Sequence, residues 1–283
     1  MIATKTNTQA IFSNYAQGLL LGLTFMIVFH KTLMGLVGEW SNNPDFSHGF
    51  LIPAAVGWMV WTKRGALVGS ALDGAPLGLL VVLVGLALHV FGSVGSEFFT
   101  SRVAVIVTIV GLTLYLLGWE VTRRLSVPLA YLMFMIPIPA IIWNQISFPL
   151  QLLASSFAAN CVALIGIPIL REGNVLHLAT TKLEVVNACS GLRSLMSLSA
   201  LSCVMAYLSS LSRTGKWILF LAAIPIAIVA NVIRLVSTAV MVHYFGQSLS
   251  EGVVHDIAGL LVFLAAVTLL SATYIVLGRI LKK

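Results

Sequence analysis

Runs of apolar residues too long for any soluble core recur along this chain, at 16–36, 49–62, 76–93, 103–119, 125–143, 189–211, 217–241 and 254–277. At ~1.5 Å of rise per residue most of them match a hydrocarbon core of ~30 Å; the second is short. With 59% of residues hydrophobic and only 9% charged, polar side chains are too few to cover a water-soluble fold. The chain is therefore expected to be all-α: a polytopic transmembrane helical bundle of about eight spans, forming one integral membrane domain over residues 1–283. No small-residue cleavage site follows the first apolar run, so that run is expected to be a retained span. Cys161, Cys189 and Cys203 are the three cysteines, and their spacing makes neither a disulfide framework nor a CxxC metal site.

Basic residues orient the spans. The net charge of +7 comes from 16 Lys and Arg against 9 Asp and Glu. In a membrane protein such an excess reports topology and anionic lipid, and nucleic acid is the poorer explanation. Eight spans with both termini cytoplasmic put Lys5, Lys63, Arg64, Arg123, Arg124, Arg213, Lys216, Arg279, Lys282 and Lys283 inside. Only Arg102, Arg171 and Lys182 then fall outside. A ninth crossing by the run 146–170 would invert one half and break that bias. The run also holds Pro149, Gln151, Ser155, Ser156, Asn160, Gly166 and Pro168. Residues 144–188 are therefore expected as an interfacial or re-entrant segment on the outer face.

Heights follow from this orientation. Arg234 lies eighteen residues beyond Lys216, about 27 Å along a helix. His255 lies twenty-four residues before Arg279, and Cys189 twenty-four before Arg213, roughly 36 Å in each case. Three chemically capable side chains from three helices thus reach one boundary. A cysteine acts as a nucleophile in its thiolate form, which a helix start, a base or a nearby cation favours. His255 is suited to take and return that proton. Arg234 is costly in its apolar setting and must face the bundle interior or a wet cavity. Asn231, three residues before it, is on the same helix face and placed to orient the guanidinium or a peptide carbonyl.

Ordinary alternatives exist for all three. A cysteine at a helix start is often inert packing, a histidine at a helix end is often interfacial, and an arginine near a span's end often snorkels to headgroups. The coincidence of heights weighs against these without removing them.

The blocks "VNACSGLRSL" (186–195), "NVIR" (231–234) and "VHDIAG" (254–259) resemble the three signature blocks of the exosortase/archaeosortase family. "FSHGFLIP" (46–53) resembles its early block, and "FPLQLLAS" leading to "IGIPILREGN" its middle. The similarity covers a core of about 40–278. It implies a membrane-embedded cysteine transpeptidase of the prokaryotic cytoplasmic membrane, working on the outer face. Its substrates would be exported proteins ending in a sorting tail: a short PEP-like motif, a transmembrane helix and a basic tip. The cleaved carboxyl end would pass to an envelope acceptor.

Carried over residue by residue, Cys189 would be the nucleophile, His255 the general base and acid, and Arg234 the stabilising cation. Asn231, Asn187, Ser190, Gly191 and Arg193 would support them, with the amide after Cys189 near the oxyanion. Arg193 is the rival for Arg234's role; otherwise it would pair with a loop acid such as Glu184 or brace the site. His48, beside Asp45, and Glu184 are expected near the substrate entrance. Nothing in such chemistry needs a metal or an organic cofactor. The competing functions are a secondary transporter in which Arg234 holds an anionic substrate, and a non-catalytic envelope assembly protein.

Overall fold

A bilayer offers no water to unpaired backbone groups, so a segment inside it must satisfy its own N–H and C=O groups, and helices do this residue by residue. The computed structural model of this chain is accordingly helical along most of its length. It describes residues 3–68, 73–179, 181–185, 191–246 and 253–281, with the backbone alone for 3–16, 68 and 253–256. In chain order the helices are α1 (Ala3–Asn42), α2 (Leu51–Val68), α3 (Leu77–Val94), α4 (Phe98–Arg124), α5 (Ser126–Tyr131), α6 (Ala140–Leu164), α7 (Leu192–Leu208), α8 (Arg213–Phe245) and α9 (Val253–Ile280). Short 3-10 helices occupy Pro44–Phe50 and Leu132–Met135. Three strands, β1 (Ile169–Glu172), β2 (Val175–Leu178) and β3 (Lys182–Glu184), form an antiparallel meander.

Six helices among the described residues are long and apolar enough to cross a membrane: Gln17–Asn42, Leu77–Val94, Phe98–Arg124, Ala140–Leu164, Arg213–Phe245 and Ile257–Ile280. The span expected at 125–143 is instead α5, a 3-10 turn and the start of α6, because Pro137 and Pro139 interrupt any continuous helix there. The segment expected as interfacial or re-entrant, 144–188, is built of the rest of α6 and the meander. Pro149 lies within α6 without ending it.

The chain divides into two compact units, Met1–Pro44 with Ala71–Arg123, and Asp45–Ser70 with Arg124–Lys283. In the first, α3 and α4 run antiparallel along a stripe of glycines one heptad apart. A Cβ on Gly78, Gly85 or Gly92 would collide with Tyr115, Thr108 or Ser101 respectively. Gly111 meets Val82 in the same register. The small residues let two backbones approach closely, which replaces the hydrophobic drive that lipid cannot supply.

The second unit carries every candidate site residue. Leu198 of α7, Leu219, Ala223 and Ala227 of α8, and Leu270 of α9 form one buried cluster. On the other side of α8, Ala158 of α6, Leu176 of β2, Val185 and Leu235 form another. The meander is held down at its tip. Ser155 donates to the Gly173 carbonyl at 3.0 Å, and Arg171 donates to the carbonyls of Leu152 and Gly173. Gly173, at φ +63°, makes the β1–β2 turn with Asn174. The Gly-Asn pair between two short alternating runs is a hairpin signal, and strands are absent from the all-α expectation.

Candidate active site

α8 supplies a charged element deep in an apolar helix. Arg234 is partly buried and donates from Nη2 to Asn231 Oδ1 at 3.0 Å. Asn231 itself is 4% exposed. One helical turn separates the two, so the guanidinium is held by a neighbour whose own position is fixed by packing. A guanidinium so braced has donors in a rigid fork and a permanent charge, suited to an oxyanion, a thiolate or a carboxylate.

The start of α7 approaches the same turn of α8. Gly191 caps that helix in the left-handed region, at φ +77°. A Cβ built there would lie 2.8 Å from both Cβ and Cγ of Asn231. Only glycine meets both demands, a positive φ and backbone contact with a buried asparagine. Leu150 and Ala154 of α6 close the same corner, leaving a cavity of about 10 Å³ against Gly191 and Asn231. That is room for about one water. Gly191→Ala is expected to destabilise the fold by about 1–3 kcal/mol, from left-handed strain and overpacking. It should also lower activity by displacing Asn231; thermal unfolding in detergent and a processing assay check the two effects.

Upstream, Val185 is equally well held. Its N–H donates to the Asn174 carbonyl at 2.9 Å, and its carbonyl accepts from Asn174 Nδ2 at 3.2 Å. It is 1% exposed. Residues 186–190 therefore connect two anchored points. Cys189, Asn187 and Ser190 fall within that connection and lie outside the described residues. His255 is in the first turn of α9, and its side chain likewise lies outside them.

Arg193 is engaged elsewhere. Its Nε donates to Asp45 Oδ1 at 2.6 Å, joining the first turn of α7 to the 3-10 helix Pro44–Phe50. The expected partner Glu184 is not the one: it sits exposed in β3, in register with Val175. Arg193 is the second residue of α7, and its side chain meets the short helix instead of the meander. Asp45 was named only as a neighbour of His48, and a contact across 148 residues left no mark in the sequence. A double-mutant cycle on Asp45→Asn and Arg193→Gln is expected to give a coupling on the order of 1 kcal/mol, between that of exposed and fully buried charge pairs.

His48 is turned inward in the same 3-10 helix, with Nδ1 buried. Burial pushes its pKa below the ordinary histidine value, and the backbone of Phe134 and Asp45 offsets part of that. The folded state therefore holds a neutral ring where the unfolded chain gains a proton near pH ~6.5. Its stability contribution is complete above that pH and is lost as pH falls through it towards the folded value. His48→Gln should flatten the decline in melting temperature between about pH 7.5 and pH 5.5, read by thermal unfolding across that range.

Comparison with known proteins adds one assignment. The family model described as transmembrane exosortase matches residues 40–272. No curated protein and no solved structure matches the chain.

Proposed function

The chain belongs to the transmembrane exosortase family, and we propose that it is a cysteine transpeptidase whose nucleophile is Cys189, with His255 as proton carrier and Arg234 as stabilising cation. Family membership supports the general role, an integral membrane enzyme that processes a protein substrate at the membrane. The residue roles rest on one observation above all: Gly191 is pressed against Asn231, whose amide holds Arg234. Consecutive Cα atoms are about 3.8 Å apart, so covalent geometry keeps Cys189 within roughly 7.6 Å of Gly191. Covalent geometry thereby ties Cys189 to the arginine's helix. His255 belongs to the first turn of α9, which packs along α8.

In this scheme the substrate is an exported protein with a C-terminal sorting tail of motif, transmembrane helix and basic tip. Arg213 and Lys216 at the start of α8 and Arg279 at the end of α9 mark the cytoplasmic side. Arg234 and Cys189 then belong to the outer side. The Cys189 proton passes to His255, and the thiolate attacks the scissile carbonyl carbon. Arg234 and the Ser190 amide stabilise the oxyanion. Collapse breaks the C–N bond, His255 protonates the departing amine, and a thioester to Cys189 remains. An acceptor nucleophile gives its proton to His255, attacks the thioester and expels the thiolate, leaving the substrate on the envelope acceptor.

The test is to co-express the enzyme with a tail-bearing reporter and isolate it under acid, where thioesters survive. Mass spectrometry should find a reporter fragment on the peptide that contains Cys189, released by hydroxylamine. Processed reporter with an adduct on Cys161 or Cys203 instead, or with no thiol adduct at all, would overturn the assignment.

A further inference from the structure

At the opposite end of α8 from Arg234 lies a cavity of about 460 Å³ that the transpeptidation scheme leaves unused. Val127, Cys203, Ala206 and Phe220 supply apolar wall, with Trp217 beside them. Arg213 and Lys216 also line it. They are three residues apart in the first turn of α8 and so share a face. Lys63 adds a third cation, its Nζ 5.6 Å from the centroid of the Tyr207 ring. The described residues within this pocket include no acid.

Tyr207 makes the cavity more than a greasy cleft. It lines the wall, yet its Oη is buried and has no hydrogen-bond partner among the described residues. A buried hydroxyl left unpaired is costly, and a ligand bearing oxygen acceptors relieves that cost. Lys216 donates to the Tyr207 carbonyl at 3.4 Å, which fixes the ammonium beside that ring. The site thus combines clustered cations, a hydroxyl donor and apolar walls. Those are the partners that a phospholipid with a net negative headgroup calls for.

We infer that this cavity binds one anionic phospholipid, its phosphate against Arg213 and Lys216, its glycerol ester oxygens within reach of Tyr207 Oη, and an acyl chain along Val127, Cys203 and Phe220. The volume accommodates the glycerol region and the upper part of a chain, with the remainder running out into the bilayer. The site is independent of the catalytic scheme and brings a lipid to the junction where α7 turns into α8, at the far end of α8 from Arg234. Anionic lipid is enriched where basic residues gather at a membrane surface.

Native mass spectrometry of the purified protein in detergent, titrated with phosphatidylglycerol or with phosphatidylcholine of the same chains, tests this. Wild type is expected to retain one phosphatidylglycerol preferentially. The double variant Arg213→Gln/Lys216→Gln should bind it roughly 30-fold more weakly. Tyr207→Phe, which changes no charge, should weaken it several-fold. Arg102→Gln/Arg123→Gln removes equal charge from residues that do not line the cavity and should leave affinity unchanged. Equal retention of both lipids, an unaffected double variant, or an equal loss in the control pair would overturn the proposal. Elution volume and circular dichroism verify that each variant is folded.

Discussion

Cys189→Ala is expected to abolish processing of a tail-bearing reporter while leaving the protein at its normal level in the membrane. Without the sulfur no thioester can form, and loss of a covalent nucleophile costs roughly 10⁴-fold or more. Stability should change little, since alanine occupies less space and Cys189 lies in a short connection between the anchored residues Val185 and Gly191. Cys189→Ser separates nucleophilicity from shape. Serine is nearly isosteric but a far poorer nucleophile at neutral pH without strong activation, so it too should be inactive. A transporter or an assembly scaffold would tolerate both variants. Unimpaired function in Cys189→Ala, measured as reporter cleavage against total reporter, would move the assignment to one of those classes.

Arg234→Ala should produce the second largest effect, a loss of about 10²–10³ in kcat with a smaller change in KM. That split is expected of a group whose contact strengthens as negative charge develops on the carbonyl oxygen. Arg234→Lys keeps the charge but gives up the rigid fork that reaches Asn231 and a second acceptor together, so it should recover only part of the rate. Asn231→Ala should fall short of Arg234→Ala, because it leaves the cation present but no longer held at 3.0 Å. In the double variant Arg234→Ala/Asn231→Ala the losses should not add, since Asn231 acts through the guanidinium it positions. Losses that add fully would show that Asn231 works elsewhere in the site. A wild-type rate in Arg234→Ala would direct attention to Arg193, whose engagement with Asp45 argues for a bracing role.

Much of the fold was legible because a bilayer leaves few solutions. Long apolar runs between polar residues became helices at Leu77–Val94, Phe98–Arg124 and Arg213–Phe245. The pairing of α3 with α4 was less visible: glycine abundance pointed to close packing, but the heptad stripe at Gly78, Gly85 and Gly92 shows itself only when its partners Tyr115, Thr108 and Ser101 are in place. The meander at 169–184 was missed for a physical reason. Its strands are three or four residues long, too short for alternation to stand out against neighbouring apolar helices. The run 146–170 reads as interfacial or re-entrant because its polar residues and prolines suit a lipid-facing span poorly. Two of those residues, Gln151 and Ser155, are buried in the structure, and Ser155 faces the meander tip and not lipid.

The sequence alone determined that this is a polytopic helical membrane protein, which residues carry candidate chemistry and in which blocks they occur, because hydropathy, charge bias and short motifs are local properties of a chain. Tertiary structure alone decided which of those residues meet. Asn231 receives Gly191 on one side and Arg234 on the other, and Arg193 turns away to Asp45. Such choices depend on how far a helix rotates and how deeply it sits against its neighbours, and a turn of one residue, about 100°, is enough to exchange one partner for another.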